Sequence, residues 1–257
     1  MLTTYAVQIL AAIRVAFVDR ANFFLQMAGM AVNNGFFFLL WALFFAGFRR
    51  VGGWQLADVS LLLGLIMTVV GVAGVFCGGY RDMAAAILGG EVDTLLTQPK
   101  PVLMRLIARD SFAHAFGDVA TGLALLATLS GLDCVHIPLA VVGVAVGLVV
   151  YVSAAITFAS LAFWISGARS FARDLTDFIL MFSSYPGSLY SGATKLIAFT
   201  ILPAGFVVLA PVDLIREPTL AHLAIAVAAA IGYAAFAIFV FHLGLKRCRR
   251  IGVPSSN

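Results

Sequence analysis

Few side chains in this sequence have the types and spacings that bond-making chemistry needs. The four histidines, His114, His136, His222 and His242, are scattered, and none belongs to an H-E-x-x-H pattern. Cys77, Cys134 and Cys248 form no C-x-x-C pair, which leaves disulfide frameworks and structural zinc without support. A phosphate-cradling loop reads G-x-x-x-x-G-K-[ST], and the chain contains no Gly-Lys dipeptide. No catalytic residue, metal ligand or cofactor contact is therefore assigned, and the expectation is a chain that is not an enzyme. What remains is polar chemistry in apolar surroundings. Asn33 and Asn34 interrupt a long uncharged stretch, with Gln26 two turns earlier. Two readings stand for the pair: hydrogen-bond glue between membrane helices, or the lining of a substrate path.

The elements that must position these groups follow from composition. Hydrophobic residues make up 62% of the chain and charged residues 11%, with a mean hydropathy of +1.05. A soluble domain carries about 25% charged residues, so too few charges remain to cover a water-soluble globule. Disorder is excluded as well, because it requires low hydrophobicity. Uncharged stretches at 21–48, 59–80, 134–168 and 218–245 each exceed the roughly 20 residues a membrane helix needs. The stretch 119–132, extended back past Asp118 to Ser111, predicts another span. Stretches 178–194 and 196–212 are separated by Lys195 and broken by Pro186, Pro203 and Pro211. They predict one crossing near 175–192 and a re-entrant outer-leaflet element over 193–212, since non-helical backbone at membrane depth is tolerated where protein surrounds it. Residues 1–20 carry Arg14, Asp19 and Arg20 and predict a helix lying at the interface rather than a cleaved leader.

The fold class predicted is all-α: a polytopic membrane protein with six transmembrane helices and a single domain over 1–257. Both termini are expected in the cytoplasm of a bacterial plasma (inner) membrane. That arrangement leaves only Arg49, Arg50, Lys195 and Arg216 outside and collects the other assigned Lys and Arg residues inside. It accounts for the basic pI of about 9.2 with no nucleic acid as partner. No acid or base falls at mid-membrane, because Asp118 and Lys195 are expected near span ends; ion-coupled pumping is disfavoured accordingly. Gly74-x-x-x-Gly78 and Gly143-x-x-x-Gly147 read as close helix packing.

One inner segment is long, 81–111. Leu88, Val92, Leu95 and Leu96 recur on one helical face, and Glu91 and Asp93 lie off it. Gly89-Gly90 turns the chain before the stripe, and Pro99-Lys100-Pro101 stops it. Leu103, Leu106 and Ile107 begin a second amphipathic stretch. The segment either rests on the inner leaflet or docks a cytoplasmic partner.

Gly90–Pro99, reading G-E-V-D-x-L-L-x-x-P after Ile87, resembles the signature of permease subunits of type-2 ATP-binding-cassette exporters. It is similar to the six-span branch named viologen-exporter-type permeases, which reads I-x-x-G-E-L-D-x-L-L-L-R-P there. Ile87, Gly90, Glu91, Asp93, Leu95, Leu96 and Pro99 match; Val92, Thr97 and Gln98 depart. Tyr185-Pro186, Tyr190 and Gly192, then Pro203, Phe206 and Pro211, resemble the branch's pattern before the last span. The resemblance implies a coupling helix at 87–99 that sits in a cleft of a separate ATP-binding-cassette ATPase subunit. It implies an extracellular gate containing Tyr185, Pro186, Tyr190, Gly192, Pro203 and Phe206. It implies a second permease chain, identical or paralogous, in the bilayer. A passive channel or an accessory membrane module with no ATPase is the alternative.

Overall fold

A computed structural model describes the backbone of residues 2–98 and 100–251 and the side chains of 5–98 and 100–248. Among the described residues the fold is entirely helical, with no strand. Helix α1 is Leu2–Ala16 and α2 is Arg20–Gly47; between them Asp19 caps α2, its Oδ1 accepting from the Asn22 backbone N–H at 3.0 Å. Helix α3 is Leu56–Phe76, opened by a reciprocal cap in which Asp58 Oδ2 accepts from the Gln55 N–H at 2.7 Å. Three short helices follow, α4 (Met83–Leu88), α5 (Glu91–Leu96) and α6 (Val102–Ile107), then α7 (Ala113–Thr128) and α8 (Ile137–Ser160). The chain closes with α9 (Ala168–Ser183), α10 (Gly192–Phe199), α11 (Ala210–Arg216) and α12 (Leu220–Ile251).

Four helical stretches are long and apolar enough to cross a membrane: Arg20–Gly47, Leu56–Phe76, Cys134–Phe163 and Leu220–Cys248. Helices α7 and α9 have 16 residues each, about 24 Å at 1.5 Å per residue. Helix α9 departs from the expected 175–192. It starts at Ala168, because its first ten residues are amphipathic and carry Arg169, Arg173, Asp174 and Asp177, which an uncharged-stretch criterion passes over. It ends at Ser183, ahead of Pro186, which lacks the N–H that a continuing helix requires. The broken region is itself largely helical. Helix α10 ends at Phe199, Thr200–Ala204 interrupts it at Pro203, and a wide helical turn over Gly205–Leu209 runs into α11.

Small residues set the packing. Helix α3 lies at the centre and is buried along most of its length, chiefly against α7. A Cβ at Gly71 would fall 2.6 Å from the Val119 backbone nitrogen, and one at Gly122 an equal distance from that of Thr68. The same device joins α8 to the turn before α11, where Gly147 meets the Val207 carbonyl and Gly143 meets Pro211. The packing expected of Gly143-x-x-x-Gly147 is thus seen, and Gly74 likewise abuts Ala115 of α7. Because Gly71 and Gly122 face backbone rather than a flexible side chain, Gly71→Leu is expected to cost about 1–3 kcal/mol. At roughly 2–4 °C per kcal/mol for a chain of this size, that is a clear fall in the thermal midpoint of detergent-solubilised protein. An unchanged midpoint would count against the close α3–α7 contact.

Candidate functional site

The 81–111 segment is built from its two glycines outward. Gly90 adopts φ +74°, a left-handed conformation that costs a side-chain-bearing residue energy. It reverses the chain between α4 and α5. The expected stripe from Leu88 through Leu96 is therefore split: Leu88 ends α4 and stays exposed, while Val92 of α5 is buried. Periodicity runs through the glycine pair as if the helix did, which is why the sequence suggests a continuous face. Leu95, Leu96 and Ile87 are half-buried against the core, and Glu91 and Asp93 point to solvent. Pro99 lies outside the described residues.

Polar contacts tie this element to its neighbours. Arg109 Nη1 donates to Glu91 Oε2 at 2.7 Å, closing the hairpin of α5 and α6. Arg109 Nε also stands 3.3 Å from Asp110 Oδ2. Burial pushes the Asp110 carboxyl above the usual carboxylate range, and Arg109 opposes that shift. Cys248 Sγ donates to Asp93 Oδ1 at 3.1 Å, linking α5 to the end of α12. Arg173 Nη2 donates to Asp82 at 2.7 Å, and Arg81 stands 4.0 Å from Asp177. These two pairs cross between the start of α4 and α9. Each is partly exposed, worth less than about 1 kcal/mol; together they set the alignment of the two elements. Tyr5 Oη donates to the Phe76 carbonyl and Gln8 Nε2 to that of Arg105, so α1 lies across the same end of the bundle.

The opposite end gathers the second set of expected residues. The Tyr190 hydroxyl donates to the Phe182 carbonyl, and its ring stacks on Phe182 at 5.6 Å between centroids. Tyr185 is exposed, with its ring 5.9 Å from Trp41 of α2. Pro186 and Pro203 are buried. Phe206 packs edge-on to Phe199 at 5.3 Å, and the Tyr233 hydroxyl of α12 donates to the Thr200 carbonyl. Gly192 is exposed at φ +53° and opens α10. Arg216 completes this end: it pairs with Asp58 at 2.5 Å and lies 4.2 Å above the Trp54 ring. Sequence reasoning missed this clamp because its members are far apart in the chain. Arg216→Lys keeps the charge but loses the planar stacking. It is expected to lower the thermal midpoint by a degree or two, with Arg216→Ala lowering it further; equal midpoints for all three proteins would remove the clamp from the account.

Between the two ends, α2, α3 and α9 enclose an apolar groove of about 500 Å³ lined by Leu40, Leu63, Ile66, Met67 and Leu180. Its polar edge holds Asn33, Asn34, Asp118 and Ser184. The structure separates the two asparagines. Asn33 is exposed toward the groove, whereas Asn34 is buried and its Nδ2 donates to Asp118 Oδ1 at 2.8 Å and to Thr121 Oγ1 at 2.9 Å. The hydrogen-bonding reading holds for Asn34. Asp118 sits in the second turn of α7, near the end of that helix as expected, and is buried against Asn34 in the middle of α2.

The sequence model of a family described as ABC-2 family transporter protein matches residues 31–252. The chain belongs to the ABC-2 transporter family. The ABC-2 match spans the groove, the short helices α4–α6 and the broken segment before α12 alike, and begins within α2. It makes the chain a membrane protein of a transport family, in agreement with its long apolar helices. No curated protein and no solved structure matches it significantly. For an ABC-2 protein, the residues expected to couple and to gate are well separated in space. Glu91 and Asp93 cluster with Arg109 and Cys248 at one end of the bundle. At the other end Tyr185 packs on Trp41, Tyr190 on Phe182, and Phe206 on Phe199 and Tyr233.

Proposed function

We propose that this chain is the permease subunit of an ATP-driven exporter, a single transmembrane domain over 1–257 that works with a separate ATP-binding-cassette ATPase and a second permease chain. In this reading α2, α3, α7, α8, α9 and α12 are six crossings in a bacterial inner membrane with both termini cytoplasmic, α1 is interfacial, and the segment over 193–212 is a re-entrant outer-leaflet element. The side-chain contacts support that topology: Arg216 meets Asp58 and Trp54 at one end, and at the other Tyr5 meets Phe76, Gln8 meets Arg105 and Arg173 meets Asp82.

The observation that carries the functional reading is α5. Its underside is fastened by buried Val92, and its outer side offers Glu91 and Asp93, as expected of a short helix seated in a partner's groove. Ile87, Gly90, Leu95, Leu96 and Pro99 complete the coupling segment. ATP-driven closure of the partner moves α5. The Gly90 joint passes that motion to α4, and the Asp82–Arg173 and Arg81–Asp177 pairs pass it to α9. Helix α9 leads directly into Tyr185, Pro186, Tyr190 and Gly192, which with Pro203 and Phe206 form the outer gate. Asn33, with Asn34 behind it, edges the substrate path along the groove. A tagged pull-down from the native host in mild detergent, read by mass spectrometry, is expected to recover an ATP-binding-cassette ATPase. Recovery of this chain alone, under conditions that preserve another exporter complex, would favour a channel or accessory module.

A further inference from the structure

At the inner end of α12 a cleft of about 270 Å³ opens beside the turn that joins α5 to α6. Its walls are apolar, from Leu96, Val102, Leu103, Phe241 and Leu245. Its rim is basic, with Lys100 and Lys246 both exposed and neither in an ion pair among the described residues. His242 also lines it; its Nδ1 is engaged by the Ile238 carbonyl at 2.7 Å, which leaves Nε2 for an outside partner. Among the described residues no acidic side chain lines the cleft. The neighbouring Asp93 is turned to Cys248, and Arg247 adds a further cation next to Lys246.

Two unpaired ammonium groups over an apolar slot fit an amphiphile with an anionic head and a hydrocarbon tail. A wholly polar anion would leave the slot unfilled. A zwitterionic lipid would bring its own cation against the lysines. The cleft lies where a membrane-crossing helix reaches the headgroup level, and basic pockets at that depth recognise anionic headgroups. We propose that this cleft binds one anionic phospholipid of the inner leaflet, with its phosphate between Lys100 and Lys246 and its acyl methylenes along Leu103, Phe241 and Leu245. The leaflet assignment rests on the topology proposed above; the chemistry of the cleft does not. Leu96 is the last residue of α5 and Pro101 precedes α6, so the bound lipid braces the back of the inner element against α12.

The test is native mass spectrometry of the full chain in mild detergent, titrated with equal amounts of phosphatidylglycerol and phosphatidylcholine. The wild type is expected to retain phosphatidylglycerol preferentially. In the Lys100→Gln/Lys246→Gln double variant that preference is expected to fall by about twentyfold, since each interfacial lysine adds on the order of fivefold. Both side chains are exposed, so folding is retained, and an unchanged elution volume checks it. Lys195→Gln, at the other end of the bundle, is expected to retain the wild-type preference. Equal retention of the two lipids by the wild type would overturn the proposal. So would an undiminished preference in the double variant, a matching loss in Lys195→Gln, or displacement of the lipid by inorganic phosphate.

Discussion

Charge reversal at Asp93 is expected to cut ATP-driven transport by about tenfold or more while the chain still inserts and folds. Asp93 is exposed on α5, so Asp93→Lys removes no core packing. Its one described side-chain partner is the Cys248 thiol at 3.1 Å, a weak donor. In the proposed reading, the energy at stake is at the surface that meets the ATPase. A like-charge juxtaposition across an interface costs several kcal/mol, and each 1.4 kcal/mol is a factor of ten in affinity. Two readouts separate coupling from binding. Recovery of the ATPase in a pull-down reports docking, and substrate-stimulated ATP hydrolysis in reconstituted vesicles reports coupling. Cys248→Ala is the control, because it removes the intramolecular contact and leaves the carboxylate; it is expected to transport at the wild-type rate. Wild-type transport by Asp93→Lys would end the assignment of α5 as the coupling helix. Glu91 is the less clean site, since its charge also holds Arg109.

The second large effect concerns the buried pair beside the groove. Asn34→Leu removes the donor that serves both Asp118 and Thr121. Interhelical hydrogen bonds in membranes are worth on average about 0.6 kcal/mol, but stranding a buried acceptor costs about 1–3 kcal/mol, and more for a charged group. The stranding cost dominates here because Asp118 has 3% of its surface exposed. A fall of roughly 3–10 °C in thermal midpoint is expected. Asn34→Leu/Asp118→Leu is expected to recover most of it, since no buried carboxylate is left stranded and the Thr121 hydroxyl keeps its own bond to the Gly117 carbonyl. If the double variant is as unstable as the sum of the two singles, the pair is not coupled. Asn33→Leu is the companion test of the path: the side chain is exposed toward the groove, so transport is expected to change with the midpoint held.

Much of this architecture is legible in the sequence, for identifiable reasons. A stretch such as 59–80, with no charge and a run of Leu and Val, has no stable placement in water, and α3 (Leu56–Phe76) covers most of it. The Gly89-Gly90 break and the interruption at Pro203 are local backbone chemistry and are readable as such. What escaped was non-local or mixed in character. The Asn34–Asp118 contact joins residues 84 apart in sequence; nothing in the pattern around either announces the other, although Asp118 is the lone acid between 111 and 132. The first half of α9 carries enough charge to resemble a loop, yet its buried face of Ala172, Thr176 and Ile179 is helical. The groove edge, the Arg216 clamp and the Arg81–Asp177 and Asp82–Arg173 pairs are all products of how helices cross. Those crossings are set by small residues such as Gly71 and Gly122, whose partners are fixed only once the bundle is assembled.

The left-handed backbone at Gly90 bears on how this protein can drift over generations. Every single-base missense change of a glycine codon introduces a side chain. At φ +74° that addition is strained whatever the side chain's chemistry. The joint between α4 and α5 therefore has no neutral neighbour one step away. The exposed face of α5, by contrast, can exchange one polar side chain for another without disturbing the fold. If α5 docks on an ATPase as proposed, a lineage adapting to a new ATPase would be expected to rewrite the surface around Glu91 and Asp93 while leaving Gly90 in place.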